Sequence, residues 1–337
     1  MSRAAVLSGL GTYLPPRRIS NQEMSERFDT SDEWITSRTG INGRYWADVG
    51  TSSGDLAVEA ATRALKSAGL SPEEAGVDSL VLATTTPDHP CPATAPDVAA
   101  RVGLSDVAAF DIAAVCSGFV YALEVASNAV VSGRADSVLV VGAETYSTIL
   151  DPEDRTTSVI FGDGAGAVLL RAGDSAEPGA LLGFDMGADG RQKDLIKIPA
   201  GGSRQRSNGV APEASDSYFT MQGRKVFAAA VQRMTDSSNK LLERIGWSME
   251  SVERVVGHQA NVRILRAVAE QLGIPTERAV INVDKVGNTS SASIPLALAD
   301  AVVERNLGVG QRVLLTAFGG GVTWGSAALV WPDVTPV

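Results

Sequence analysis

An α/β fold built from two similar halves is what this sequence predicts, on three observations. Short β-branched runs alternate with helix-period segments along the 337 residues, a pattern that lays helices over sheets. The order of turns and strands in the first half recurs in the second. Glycine is abundant at 34 residues while aromatics make up 5%, the mix expected where turns are tight and backbones pack closely.

Buried strands are read at 79–83, 137–141, 254–256 and 312–315, each an apolar Val- and Leu-rich run. Phe227, Val231, Met234, Leu241 and Ile245 step by threes and fours, with Ser238 filling the gap. That spacing predicts one face of a long amphipathic helix, stopped at Gly246. The duplication runs through these elements. A helix ends at Ala68-Gly69-Leu70-Ser71, acidic residues follow, and a strand comes at Leu80; Ile245-Gly246-Trp247-Ser248 begins the same succession, ending in a strand at Val255. Arg101-Val102-Gly103-Leu104 then leads through a strand to Cys116, as Gln271-Leu272-Gly273-Ile274 leads through a strand to Asn288. Two copies of this size imply a pseudo-twofold axis rather than a solenoid. The halves are expected at 1–172, with Cys116, and 173–337, with His258 and Asn288. The axis would bring Cys116 and Asn288, each where a strand hands over to a helix, face to face.

Composition narrows the function. With 44% hydrophobic and 20% charged residues the chain suits a soluble globular protein. A net charge of −10 and a pI near 4.8 argue against nucleic acid and anionic membrane as partners. The two cysteines, Cys91 and Cys116, make no disulfide framework, and without clustered histidines they make no zinc site. The N-terminal apolar run is broken by Gly9, Gly11 and Pro15-Pro16, too short for a signal peptide. No apolar stretch nears the ~20 residues of a membrane span. A cytoplasmic, reducing location with no metal and no cofactor is the expectation.

Several segments could carry chemistry. Cys116 stands in Ala113-Ala114-Val115-Cys116-Ser117-Gly118; a helix starting there would favour the thiolate and lower its pKa, although an isolated cysteine is more often inert packing. His258, in Val255-Val256-Gly257-His258, ends a strand, where ligand sites of α/β sheets gather; a lone histidine is usually a satisfied core or surface residue. Asn288, in Gly287-Asn288-Thr289-Ser290, is by itself an ordinary turn or cap. Gly319-Gly320-Gly321 lacks phosphate-loop spacing and better suits a backbone N–H brought up to an oxyanion. Phe161-Gly162-Asp163-Gly164-Ala165-Gly166 is read as a close-packed turn without a direct catalytic part.

Together these segments resemble the type III β-ketoacyl-acyl-carrier-protein synthases of the thiolase superfamily, from Gly9 to Trp331. Asp32-Glu33-Trp34-Ile35 and Arg38-Thr39-Gly40-Ile41 add to the match, as do His258-Gln259-Ala260-Asn261 and Ala317-Phe318-Gly319-Gly320-Gly321. The resemblance implies a thiolase-like five-layered αβαβα fold, a homodimer, and decarboxylative condensation of an acyl-CoA starter with malonyl-acyl-carrier-protein. It implies that Cys116 carries the acyl group, that His258 and Asn288 hold the enolate, and that the N–H groups of Cys116 and Gly320 form the oxyanion hole. Coenzyme A contacts map onto Trp34, Arg38, Arg155 and Asn261, and carrier-protein contacts onto Arg263 and Arg266. Cys91 stands where some relatives carry a Phe that limits the acyl pocket, which suggests a roomier pocket. The segment 200–217 is read as a surface loop near the pocket mouth.

Other activities meet specific objections. A biosynthetic thiolase needs a second cysteine near the C-terminal glycines, and none follows Cys116. A chalcone-synthase-like enzyme shares Cys, His and Asn but has a longer chain and a different glycine-rich motif. A Cys-His-Asn hydrolase would use water as acceptor. An acyltransferase acting on a hydroxyl or amine remains the alternative, and a non-catalytic acyl binder would never acylate Cys116.

Overall fold

The computed structural model describes residues 2–337. One sheet is drawn from β1 (Arg3–Tyr13), β2 (Ser79–Ala83), β3 (Ala108–Ile112), β4 (Ser137–Glu144) and β5 (Gly164–Asp174), in spatial order β1-β5-β4-β2-β3. β2 runs parallel to β3 and β4, while β5 is antiparallel to β4 and β1. The other sheet takes β6 (Leu181–Ala188), β7 (Arg254–Gly257), β8 (Arg312–Gly319) and β9 (Thr323–Val330), in order β7-β8-β9-β6. Every residue of β4 is buried, as befits a strand covered on both faces. All four strands read from sequence are present, β4 and β8 extending beyond the apolar runs that announced them.

Helices α1 (Ser53–Ser67) and α2 (Ala95–Val102) cover the outside of the first sheet, and Gly11 sets how closely. A Cβ at that position would lie 2.2 Å from Ala64 N. Helices α4 (Gly223–Ile245) and α5 (Val262–Gln271) cover the outside of the second. α4 begins a turn before the predicted face and stops at Gly246, whose φ is 71°. Between the sheets lie α3 (Gly118–Val131) and α6 (Ser293–Val303), apolar on nearly all sides, which is what a helix buried all round requires. One apolar core joins Val140 and Leu7 through Phe119, Leu123 and Leu298 to Leu315. The result is the five-layered αβαβα arrangement of the thiolase fold.

Two sequence expectations need correction. The strand expected before Asn288 is reduced to a single bridge between Val255 and Ala279, so the second sheet has four strands. The buried Gln259 amide takes the place of the ladder: Nε2 donates to Val280 O at 3.0 Å, and Oε1 accepts from Asn282 N–H at 2.9 Å. Nor is Asn288 the twin of Cys116. Short 3₁₀ turns, Val115–Ser117 and Ser290–Ala292, lead into α3 and α6, and each opens on a left-handed residue, Val115 at φ 48° and Ser290 at φ 49°. In that register Cys116 corresponds to Ser291, and Asn288 sits earlier in its turn.

Candidate active site

Cys116 is held by a turn braced from the second half. Ser117 Oγ lies 2.7 Å from Thr323 Oγ1 and donates to Ala114 O at 2.8 Å. A Cβ at Gly319 would lie 2.9 Å from Cys116 N, and one at Gly320 3.1 Å from Ile196 Cγ2; the glycines let the end of β8 press against the nucleophile's turn. The sequence suggested a thiolate favoured by the helix N-terminus. The structure reverses this: Cys116 is 7% exposed, and burial pushes its thiol up to about 12 against a hydrogen bond with the Ser290 hydroxyl. At neutral pH the residue is a thiol.

His258 follows β7, its N–H bonded to Thr316 O at 2.8 Å. The ring is buried, and burial pushes its pKa down to about 3 against a hydrogen bond with the Ser290 backbone, so the imidazole is neutral. Nδ1 lies 2.7 Å from Ser293 Oγ, and that same oxygen accepts the Gln259 N–H at 3.3 Å. Ser293 Oγ can still donate its proton to Nδ1, and in that arrangement Nε2 is the N–H donor. Asn288 is also fixed. Its backbone N–H donates to Ile160 O at 2.9 Å, its carbonyl accepts from Gly162 at 3.0 Å, and Oδ1 accepts from Ser290 N–H at 2.9 Å. The amide Nδ2 is therefore the free end.

Cys116, His258 and Asn288 line a single narrow cavity, closed by Phe161, Phe219 and Phe318. The sequence reading missed how two parts of this cavity arise. Phe161 and Asn288 form a backbone bridge, and a Cβ at Gly162 would fall 2.3 Å from Val286 O, so the Phe161-Gly162-Asp163 turn positions the Asn288 loop. Phe219 and Met221 come from a two-stranded flap, Ile196–Lys197 paired with Thr220–Met221. The polar 200–217 stretch is the exposed excursion of that flap and contains a one-turn helix, Ser203–Arg206; its flanking apolar residues were the available signal.

The four expected coenzyme A residues gather beside the cavity's helix α5. Trp34, half-buried on the short helix Asp32–Thr39, has the Arg38 guanidinium 4.7 Å and that of Arg155 5.5 Å from its ring centroid. Asn261 caps α5 through Arg263 N–H at 2.8 Å and donates to Arg38 O at 3.2 Å. Arg263 and Arg266 are exposed on α5. Cys91 does not join the site within one chain: it is exposed, on a surface segment tied down where Asp88 accepts Gly54 N–H at 2.9 Å, and it does not line the cavity.

Fold and site define a thiolase-fold acyltransferase built around a buried cysteine. Residues 110–190 match the family description 3-oxoacyl-[acyl-carrier-protein] synthase III, and residues 242–331 match its C-terminal part. The chain belongs to the 3-oxoacyl-[acyl-carrier-protein] synthase III family. It is 65% identical to β-ketoacyl-[acyl-carrier-protein] synthase III 5 of Streptomyces coelicolor, over 99% of each chain. The crystal structure of 3-oxoacyl-(acyl carrier protein) synthase III from Pseudomonas aeruginosa PAO1 superposes with a TM-score of 0.92 at 51% identity, covering 99% of this chain and 100% of that one. The priming β-ketosynthase of the R1128 polyketide biosynthetic pathway matches with a TM-score of 0.90 at 33% identity, over 98% and 97% of the two chains. Among the described residues no helix is long and apolar enough to cross a membrane.

Proposed function

We propose that the protein condenses an acyl-CoA starter with malonyl-acyl-carrier-protein through an acyl-Cys116 intermediate, initiating fatty-acid or polyketide-type chains. The carrying observation is that a buried thiol, a neutral imidazole and a free amide donor line one apolar cavity.

In the first half-reaction Cys116 Sγ attacks the thioester carbonyl. The N–H groups of Cys116 and Gly320 meet the oxyanion, and coenzyme A departs with the thiol proton. In the second, the malonyl carboxylate leaves as carbon dioxide and its electron pair passes to the α-carbon. Asn288 Nδ2 and His258 Nε2–H donate to the enolate oxygen. The α-carbon then attacks the acyl-Cys116 carbonyl, the carbon–carbon bond forms, and the Cys116 thiolate leaves and is reprotonated. An apolar cavity helps by stripping water from the carboxylate about to be lost. No metal or cofactor enters these steps.

Trp34, Arg38, Arg155 and Asn261 would bind the nucleotide of coenzyme A, the Arg38 guanidinium lifting from the indole to admit adenine. Arg263 and Arg266 would receive the acidic carrier protein. A homodimer forming across the edge strand β3 would cover Phe110 and Val125, 39% and 40% exposed. The cytoplasm is the compartment that this chemistry fits.

Intact-protein mass spectrometry with a panel of acyl-CoAs, followed by malonyl-acyl-carrier-protein, tests the assignment. A thioester mass on wild type but not on Cys116→Ala, discharged as a β-ketoacyl product with loss of carbon dioxide, is expected. Discharge only to water, an alcohol or an amine would replace condensation by the hydrolase or transferase alternative.

A further inference from the structure

Glu144, the last residue of β4, is fully buried with no cation to balance it among the described residues. Its Oε2 accepts from Thr85 N–H at 2.9 Å and from the Thr86 hydroxyl at 3.1 Å. Its Oε1 lies 2.8 Å from Ser291 Oγ, accepts from the Thr85 hydroxyl at 3.2 Å and meets the Ser291 N–H only at a long 3.4 Å, and Ser291 Oγ lies 2.9 Å from Ala83 O. The Ser291 hydroxyl has one proton. Were Glu144 ionised, that proton would face two acceptors, and one short oxygen–oxygen contact would hold no hydrogen at all. A proton on Oε1 removes the conflict: the acid donates to Ser291 Oγ, which donates on to Ala83 O. Burial acts in the same direction, raising the carboxyl's pKa against the hydrogen bonds that it receives. The titratable groups facing Glu144 are the Cys116 thiol and the Tyr146 phenol, both pushed up by burial and so neutral as well.

The placement matters because Ser291 sits in the turn that carries both functional donors. Asn288 precedes it, and Ser293, the partner of His258 Nδ1, follows it. Ala83, Thr85 and Glu144 belong to the strand ends of the first half, beneath Cys116. We propose that Glu144 is kept as a neutral carboxylic acid whose O–H to Ser291 locks the Asn288 turn against the Cys116 half, making it a positioning residue for the malonyl step. The catalytic part of this rests on the proposed function above; the protonation does not.

Difference infrared spectroscopy of wild type against Glu144→Gln tests the protonation. At about pH 8, where an ordinary carboxyl is ionised and Asp163, raised by burial to about 6, is ionised too, a deuterium-sensitive carboxylic C=O band belonging to wild type alone is expected. A difference confined to carboxylate bands would overturn the proposal. A second readout is the rate of Cys116 alkylation by iodoacetamide at the same pH of about 8. It should be unchanged in Glu144→Gln, because no charge has been removed, whereas a faster reaction would show that Glu144 had been ionised. Glu144→Asp withdraws the carboxyl by one methylene. Malonyl decarboxylation should then fall about 10- to 100-fold while Cys116 acylation falls less than about threefold. Equal losses in the two half-reactions, or none, would remove the positioning role. A wild type that acylates but never decarboxylates malonyl thioester would sink the proposed function and leave the infrared result standing.

Discussion

His258 Nδ1 and Ser293 Oγ lie 2.7 Å apart, and this contact decides which ring nitrogen faces the substrate. Ser293 opens α6, so the helix that closes the second half also sets the tautomer of the histidine that ends β7. Ser293→Ala removes the donor to Nδ1 and frees the ring to adopt either tautomer. Losing a hydrogen bond worth about 1 kcal/mol, together with part of the correct tautomer, should slow malonyl decarboxylation about tenfold. Cys116 acylation, followed by mass, should be nearly untouched, since the half-reactions use different donors.

The same histidine makes an acid-sensitive contribution to stability. Its folded value, about 3, lies below the ordinary 6.5. The unfolded chain therefore binds the proton first as pH falls. The contribution is fully present above about 6.5 and declines by about 1.4 kcal/mol per pH unit as pH drops toward the folded value. Denaturant midpoints measured from neutral to mildly acidic pH should fall less steeply in His258→Gln than in wild type. Decarboxylation rates should correspondingly show no protonation step near 6.5.

Cys116 should behave as a sluggish thiol until substrate arrives. With its pKa pushed from 9.0 to about 12 by burial, iodoacetamide should alkylate it slowly at neutral pH and faster throughout the alkaline range, without a plateau near the ordinary value. Acyl-CoA reactivity at neutral pH would persist, because the thiol proton leaves on coenzyme A rather than into solvent. A plateau at or below neutral pH would mean that the helix N-terminus outweighs burial.

What the sequence could and could not convey follows from how each feature is encoded. The long helix α4 was legible because Phe227 to Ile245 repeats at helical spacing and Gly246 caps it, both local signals. The strands were legible for the same reason. The missing fifth strand of the second sheet was not: an Ile-Asn-Val run at 281–283 reads as strand-like, and only the fold shows the Gln259 side chain occupying the ladder. Cys116, His258 and Asn288 each looked ordinary alone, and their convergence required either the duplication or the family resemblance. The direction of the Cys116 shift differs from the sequence expectation because a helix start is visible in sequence whereas burial is set by long-range packing. The flap residue Phe219 and the acid Glu144 carry no motif at all, so tertiary contact alone reveals them.

Arg263 and Arg266 offer a test that separates the two thioester partners. Both are exposed on α5, just beyond His258 and on the helix that Asn261 caps. Among the described residues neither has an ion pair with an acidic side chain, and Arg263 rests over the Phe227 ring at 5.9 Å. Replacing both by Glu turns an attractive approach for an acidic carrier into a repulsive one. The KM for malonyl-acyl-carrier-protein should rise about 10- to 100-fold at low salt, and the effect should shrink as ionic strength shortens the range of the interaction. The rate with malonyl-CoA, which lacks the carrier's surface, should change by less than about threefold, and so should the fold's stability, because the exposed guanidinium heads hold no buried partner. Arg38→Ala should show the opposite preference. It removes the cation 4.7 Å from the Trp34 ring, a contact worth about 0.5–2 kcal/mol, and should weaken acyl-CoA use while leaving the carrier-protein KM alone. Steady-state kinetics with both acceptors on both variants would assign the two surfaces; equal effects on carrier and coenzyme A substrates would merge them into one.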